Sequence, residues 1–221
     1  MENYMNDYLT IALPKGKLFT ISKNLLHRVG LSADHLSEKS RKLVIENGDL
    51  KVRFIIAKTS DVPTYVEYGA ADIGIIGKDV LLESQKDVYE ILDLGFGKCH
   101  LMMAVPQKEK RRRLLDYSYT RVATKYPYIA ESFFARQGMQ MEYIKLNGSI
   151  ELGPIVGLSE SIVDIVETGT TLAENDLEEI AHILDVSARL IVNRVSFKLK
   201  FHRINEIVNN LRPIIESGEI L

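Results

Sequence analysis

The chain has 221 residues, 46% apolar and 26% charged, with a formal net charge of −2, which fits a soluble globular protein and leaves no global field to recruit nucleic acid or an anionic membrane. A single cysteine, Cys99, excludes an internal disulfide framework and fits a reducing cytoplasm. No apolar run approaches the roughly 20 residues of a membrane span, the N-terminal residues are polar and acidic, so no signal peptide is expected, and the five histidines are scattered without zinc spacing.

In chain order, Tyr8–Leu13 reads as a buried strand ending at Pro14-Lys15-Gly16-Lys17. A helix follows with Leu18, Ile21, Leu25, Leu26 and Val29 on one face and Gly30 as its C-terminal cap. Leu43–Glu46 and Lys51–Ala57 pair as a hairpin through Asn47-Gly48-Asp49. Thr59–Ala70 is expected to be helical, capped by Ser60 or Asp61, with Pro63 in its first turn. Asp72–Ile76 is a short buried strand, followed by Gly77-Lys78-Asp79 and a helix at Val80–Glu83. Tyr89–Leu94 and His100–Val105 are further strands.

Pro106–Asp116 changes character: the charge run 107–113 reads as a surface connector. The pattern then restarts with a strand at Arg121–Lys125, a helix at Ile129–Gln137 capped by Gly138, a strand at Met141–Lys145 and a helical stretch between Gly148 and Gly157. Ile162–Val166 is a strand; residues 177–193 suit either helix or strand, and a single long strand is favoured. Arg194–Leu211 is an amphipathic helix that Pro213 ends or closely follows. Alternating strands and helices define an α/β fold, and the restart implies two lobes with a natural small-molecule cleft between them.

Two loops carry candidate chemistry. The β-branched run Ile162–Val166 holds Asp164, and Glu167 and Thr168-Gly169-Thr170-Thr171 follow it. Consecutive backbone N–H groups, three hydroxyls and a glycine that tolerates positive φ can cradle a phosphate, while the two carboxylates accept from a sugar diol. Many Thr-Gly turns at strand ends bind nothing, and no P-loop lysine or GxGxxG accompanies this one. The second loop, Lys15-Gly16-Lys17, lies between a strand and a helix N-terminus and suits a polyphosphate; a solvated lysine pair is the plain alternative. Arg41 can bind phosphate bidentately or sit in a surface ion pair. The stretch from Gly69 through Asp72, Gly74 and Gly77 to Lys78 and Asp79 is rich in small residues, suiting either a flat ring against backbone or tight helix–sheet packing.

Together these blocks resemble the short form of the ATP phosphoribosyltransferase family. The resemblance rests on Leu13-Pro14-Lys15-Gly16-Lys17-Leu18, Ser40-Arg41-Lys42-Leu43, the run from Asp61 to Asp79, the run from Asp164 to Leu172, and Asp185-Val186-Ser187-Ala188-Arg189-Leu190-Ile191-Val192-Asn193. It implies a two-lobed α/β fold like that of type II periplasmic binding proteins, with lobe I at 1–106 and 192–221 on the ATP and pyrophosphate side, and lobe II at 107–191 carrying the donor loop. It implies transfer of phosphoribosyl from phosphoribosyl pyrophosphate to N1 of ATP with Mg²⁺. Lys15, Lys17 and Arg41 would then neutralise pyrophosphate. Asp164, Glu167, Thr168, Gly169, Thr170 and Thr171 would hold the donor, and Gly16, Asp72, Gly74, Gly77, Lys78 and Asp79 the nucleotide, with no metal ligand from the protein. The family commonly has Arg where this chain has Lys17, so the planar fork is lost. The chain runs only about ten residues past Leu211, too few for the long form's regulatory domain. A catalytic homodimer and a hetero-octamer with a histidyl-tRNA-synthetase-like regulatory subunit are implied instead, with no nucleic acid and no membrane.

Overall fold

A computed structural model describes residues 8–31, 36–37, 42–109 and 113–218. The elements are, in order, β1 (Leu9–Pro14), α1 (Lys17–Arg28), β2 (Val44–Asn47), β3 (Val52–Ala57), α2 (Val62–Glu67), β4 (Ile73–Gly77), α3 (Lys78–Ser84), β5 (Tyr89–Asp93) and β6 (Cys99–Pro106). There follow β7 (Arg121–Thr124), α4 (Pro127–Arg136), β8 (Glu142–Lys145), α5 (Leu152–Ile155), β9 (Ser161–Val166), α6 (Thr170–Glu174), β10 (Leu177–Val186), β11 (Ala188–Val192), α7 (Arg194–Leu199) and α8 (Phe201–Glu216).

The chain divides into two units, Met1–Gly97 with Ser187–Leu221, and Lys98–Val186. The first holds a six-stranded sheet in the order β2-β3-β1-β4-β11-β5. Its β1 runs parallel to β3 and β4, while β2 and β11 run antiparallel to their neighbours. The second holds β10-β6-β9-β7-β8, with β7 parallel to β8 and β9 and β6 antiparallel to β9 and β10. The second unit therefore begins at 98 and ends at 186, where the sequence suggested 107 and 191. The reason is β6: its ladders run to β9 and β10, so it joins the second sheet although it precedes the connector.

In the first unit, α1 and α8 bury their apolar stripes with β1 and β3: Leu25, Leu26, Ile204, Val208 and Leu211 form one cluster with Leu9, Ile11 and Phe54. Each such buried side chain contributes roughly 1.5–3 kcal/mol relative to exposure. Gly30 closes α1 as expected. At φ +80° its N–H donates to His27 O at 3.0 Å, and that of Leu31 to Leu26 O at 3.0 Å, satisfying two carbonyls at the helix end. The Asn-Gly hairpin also forms, β2 pairing antiparallel with β3.

Four expectations change. Asp61 stands at the N-cap of α2 but its side chain makes no capping hydrogen bond: the chain enters through a 3₁₀ turn at Thr59–Asp61, and Ser60 Oγ donates to Asp61 Oδ1 instead. The helix expected from Val80 starts two residues earlier, because β4 runs to Gly77 and α3 begins at Lys78. The favoured long strand over 177–193 is strand throughout but breaks at Ser187, with β10 in one sheet and β11 in the other. The C-terminal helix breaks at Lys200 and continues through Pro213 to Glu216. Pro213 is tolerated because it and Asn209 are exposed, so the carbonyl it leaves without a donor can face water.

Candidate active site

In the second unit, β9 ends at Val166 and α6 begins at Thr170, leaving Glu167, Thr168 and Gly169 as the turn. Gly169 has φ 77° and ψ −4°, a left-handed conformation that glycine adopts without strain, and no heavy atom lies within 4 Å of where its Cβ would stand. Leu172 is buried with Ile162 and Val166, so α6 is anchored to the strand it follows. The hydroxyls of Thr168 and Thr170 lie 3.1 Å apart. Thr168, Thr170, Thr171 and Glu167 are exposed. The turn thus offers hydroxyls to solvent while its framework is packed.

Asp164 lies two residues before Val166 and is half-buried. The Ile165 N–H donates to its Oδ1 at 2.8 Å. Burial pushes its carboxyl up to about 6; the Ile165 hydrogen bond opposes this, Glu151 adds to it and Lys125 opposes it. The sequence did not single out Lys125 or Glu151. Thr124, the last residue of β7, pairs with Val163 in the parallel β7–β9 ladder, and Lys125 follows it directly, next to the position where the chain of β9 reaches Asp164. Ala123 and Ile162 share one apolar cluster, and two residues on in β9, Asp164 falls on that same face. Glu151 immediately precedes α5, which rests on that face: a Cβ on Gly153 would stand 2.8 Å from Ala123 Cβ and 2.6 Å from Ser159 Oγ. The signal for both residues is strand register, which a single sequence does not show.

In the first unit, the Lys15 N–H donates to Ala57 O at 2.9 Å, and Lys15 O accepts from Thr59 Oγ1 at 3.3 Å. Gly16, at φ 91° and ψ −152°, is the residue before α1, which carries no acidic residue in its first turn. Lys15, Gly16 and Lys17 are exposed, at the positive end of a twelve-residue helix. Arg41 lies outside the described residues.

The six residues assigned to the nucleotide part company. Gly16, Gly77, Lys78 and Asp79 follow or close the C-terminal ends of β1 and β4, two neighbouring parallel strands, where ligands of open α/β sheets bind. Lys78 is ion-paired with Glu90, and its N–H donates to Ser187 O at 3.0 Å. Asp79 is buried, and a Cβ on Gly77 would come within 2.1 Å of its Oδ1. Gly74 lies inside β4, where a Cβ would meet Val66 and Val62 of α2 at 2.8 and 2.9 Å; it serves helix–sheet packing. Asp72 stands at the other end of β4, about 16 Å away along a five-residue strand. It accepts from Thr10 N–H at 2.7 Å, Ser196 Oγ at 2.5 Å and Lys200 Nζ at 2.7 Å. That buried network ties α7 and α8 to β1.

Cys99 and His100 open β6, with Cys99 half-buried. The His100 and His182 rings stack at 5.8 Å, and His182 Nε2 lies 2.9 Å from Asp185 Oδ1. No helix among the described residues is long and apolar enough to cross a membrane.

Residues 58–213 match the HisG family, ATP phosphoribosyltransferase. The ATP phosphoribosyltransferase of Desulfitobacterium hafniense is 52% identical over 216 residues, covering 95% of this chain and 97% of that protein. ATP phosphoribosyltransferase 2 of Geobacter sulfurreducens is 50% identical over 212 residues, covering 94% and 98%. The Thermotoga maritima ATP phosphoribosyl transferase (HisG:HisZ) complex superposes with a TM-score of 0.80 at 33% identity, covering 95% of this chain and 99% of that one. A substrate-binding protein of an amino acid ABC transporter superposes at 0.63 with 12% identity, covering 96% and 95%, which shows the periplasmic-binding-protein-like fold alone. The chain belongs to the HisG family of ATP phosphoribosyltransferases.

Proposed function

We propose that this chain performs the family's reaction, the first step of histidine biosynthesis, with the 164–171 segment holding the donor. N1 of ATP attacks C1 of phosphoribosyl pyrophosphate, the C1–O bond breaks with its electron pair, and pyrophosphate leaves. The observation that carries the donor assignment is the left-handed Gly169 turn with its exposed threonine hydroxyls, three residues beyond the end of the strand that carries Asp164. The backbone and hydroxyls of Thr168–Thr171 take the 5-phosphate, and Asp164 with Glu167 accepts from the ribose hydroxyls. N1 of neutral adenine carries no proton, so no general base is required, and positioning with charge stabilisation supplies the rate.

Lys15, Lys17 and Arg41 are assigned to the departing pyrophosphate, and Gly16, Gly77, Lys78 and Asp79 to ATP. Asp72 and Gly74 are left out of that set, for the structural reasons above. A Mg²⁺ ion carried by the substrate phosphates would offset the charge of the leaving group. The Thermotoga maritima HisG:HisZ complex supports a partner subunit for this chain; the family resemblance implies that this partner is like histidyl-tRNA synthetase and joins catalytic dimers in a hetero-octamer, and a cytoplasmic setting accords with both substrates.

The test is direct. Phosphorus NMR of ATP, phosphoribosyl pyrophosphate and Mg²⁺ with the protein should show pyrophosphate released together with phosphoribosyl-ATP; no product defeats the assignment. Thr168→Tyr and Gly169→Val should abolish calorimetric donor binding, and unchanged affinity would remove the loop from the site.

A further inference from the structure

The donor carboxylate does not stand alone on its face of the second sheet. The β7–β9 ladder ends at the pair Thr124 and Val163, so Lys125 leaves β7 beside the next residue of β9, Asp164, and Gly153 lets α5 lie close enough on Ala123 to bring Glu151 to the same strand ends. We infer that Lys125 and Glu151 are positioning residues of the donor site: they hold Asp164 between opposite charges and so set the acidity at which it stops accepting the sugar hydroxyls. The inference rests on Asp164 being a donor ligand.

The electrostatic surroundings of Asp164 are simple enough to test. On the β6 side its register partner is Met102, which is apolar, and His182 of β10 stands beyond it, about 10 Å from Asp164 across two strand spacings. From the turn into α6 come the Glu167 carboxylate, three residues along the chain, and the neutral threonine hydroxyls. The charges that shift Asp164 are the Lys125 ammonium and the Glu151 carboxylate, which act on it in opposite senses. Burial already favours the protonated acid, and a protonated acid accepts poorly from a diol. Lys125 therefore extends donor capture to lower pH, and Glu151 restricts it.

The sign is fixed for each substitution. Lys125→Met removes the cation, so Asp164 protonates more readily and the acid limb of donor affinity moves to higher pH. Glu151→Gln moves the limb to lower pH, and Lys125→Arg restores it. An upward move of one unit from about 6 lowers the ionised fraction at pH 6 from about a half to about a tenth, a roughly five-fold loss of affinity. The donor's phosphates also titrate near pH 6, but they do so equally for every variant, so differences between proteins at one pH isolate the side chain.

The experiment is calorimetry of the full chain with phosphoribosyl pyrophosphate and Mg²⁺ from pH 5 to 8, paired with carbon NMR titration of the Asp164 carboxyl without ligand. Opposite displacements of the acid limb in Lys125→Met and Glu151→Gln, matched by the carboxyl titration, support the inference. Limbs that coincide with wild type overturn it, as does an equal loss at every pH in Lys125→Met, which would make Lys125 a direct phosphate contact. Should Asp164→Asn bind the donor as wild type does, the donor reading itself fails; an Asp164 titration unmoved in both variants defeats the charge-setting inference separately.

Discussion

Replacing Asp72 by alanine separates architecture from nucleotide binding at a residue where the two compete. Asp72 accepts three hydrogen bonds, from the Thr10 N–H, the Ser196 hydroxyl and Lys200 Nζ. The side chain of Lys200 is 18% exposed and that of Asp72 6%, so truncation leaves an ammonium largely buried, with Tyr8 O at 2.7 Å its remaining acceptor among the described residues. Removing one member of a buried ion pair costs about 3–5 kcal/mol. For a protein of this size each kcal/mol moves the melting temperature by roughly 2–4 °C, so Asp72→Ala should melt roughly 6–20 °C lower. Asp72→Leu with Lys200→Met removes both charges and should recover much of the loss. Urea titration followed by circular dichroism measures stability, and calorimetry with ATP measures binding in the same samples. An unchanged midpoint together with lost ATP affinity would refute the structural role and restore Asp72 to the nucleotide site.

Asp164 should be costly to the fold for the reason that makes it useful. Its folded carboxyl titrates at about 6 against an ordinary 3.8, so the associated stability is present below the ordinary value and lost as pH rises through about 6. Roughly two units correspond to about 3 kcal/mol. Asp164→Asn should therefore stabilise the protein by up to about 3 kcal/mol at pH 7–8 in urea titrations, with the gain fading towards pH 4, while donor binding weakens; a gain independent of pH would contradict the assigned titration. Lys17→Ala should slow the chemical step more than it weakens ATP binding, and pre-steady-state rates equal to wild type would remove Lys17 from the leaving-group site. Asn193→Ala removes the acceptor for Val195 and Ser196 N–H and the donor to Val66 and Glu67 carbonyls; lost capping and unsatisfied carbonyls should together cost about 2–3 kcal/mol by denaturant titration. Gly74→Ala should destabilise by about 1–3 kcal/mol through its clash with Val62 and Val66, leaving KM for ATP unchanged in the folded fraction.

Most individual elements were legible because their signals are local. The Asn-Gly hairpin, the Gly30 and Gly138 caps and the strand leading into the Thr168–Thr171 turn each depend on residues a few positions apart, and each forms. The small-residue stretch from Gly69 to Asp79 was legible only as a composition. The same glycine pattern serves close helix packing at Gly74 and a strand-to-helix junction at Gly77. What distinguishes the two is the identity of the element lying over each residue.

By itself the sequence determined the alternation of strands and helices, the two candidate loops and the family likeness, since hydrophobic period, turn residues and ordered motifs are properties of neighbours along the chain. Tertiary structure decided which strands share a sheet. It moved β6 into the second unit, broke the 177–193 strand at Ser187, turned Asp72 into a buried anchor for Lys200, and set Lys125 beside Asp164. Each of these depends on hydrogen-bond register or packing between residues tens of positions apart, where a one-residue slip would carry a side chain to the opposite face.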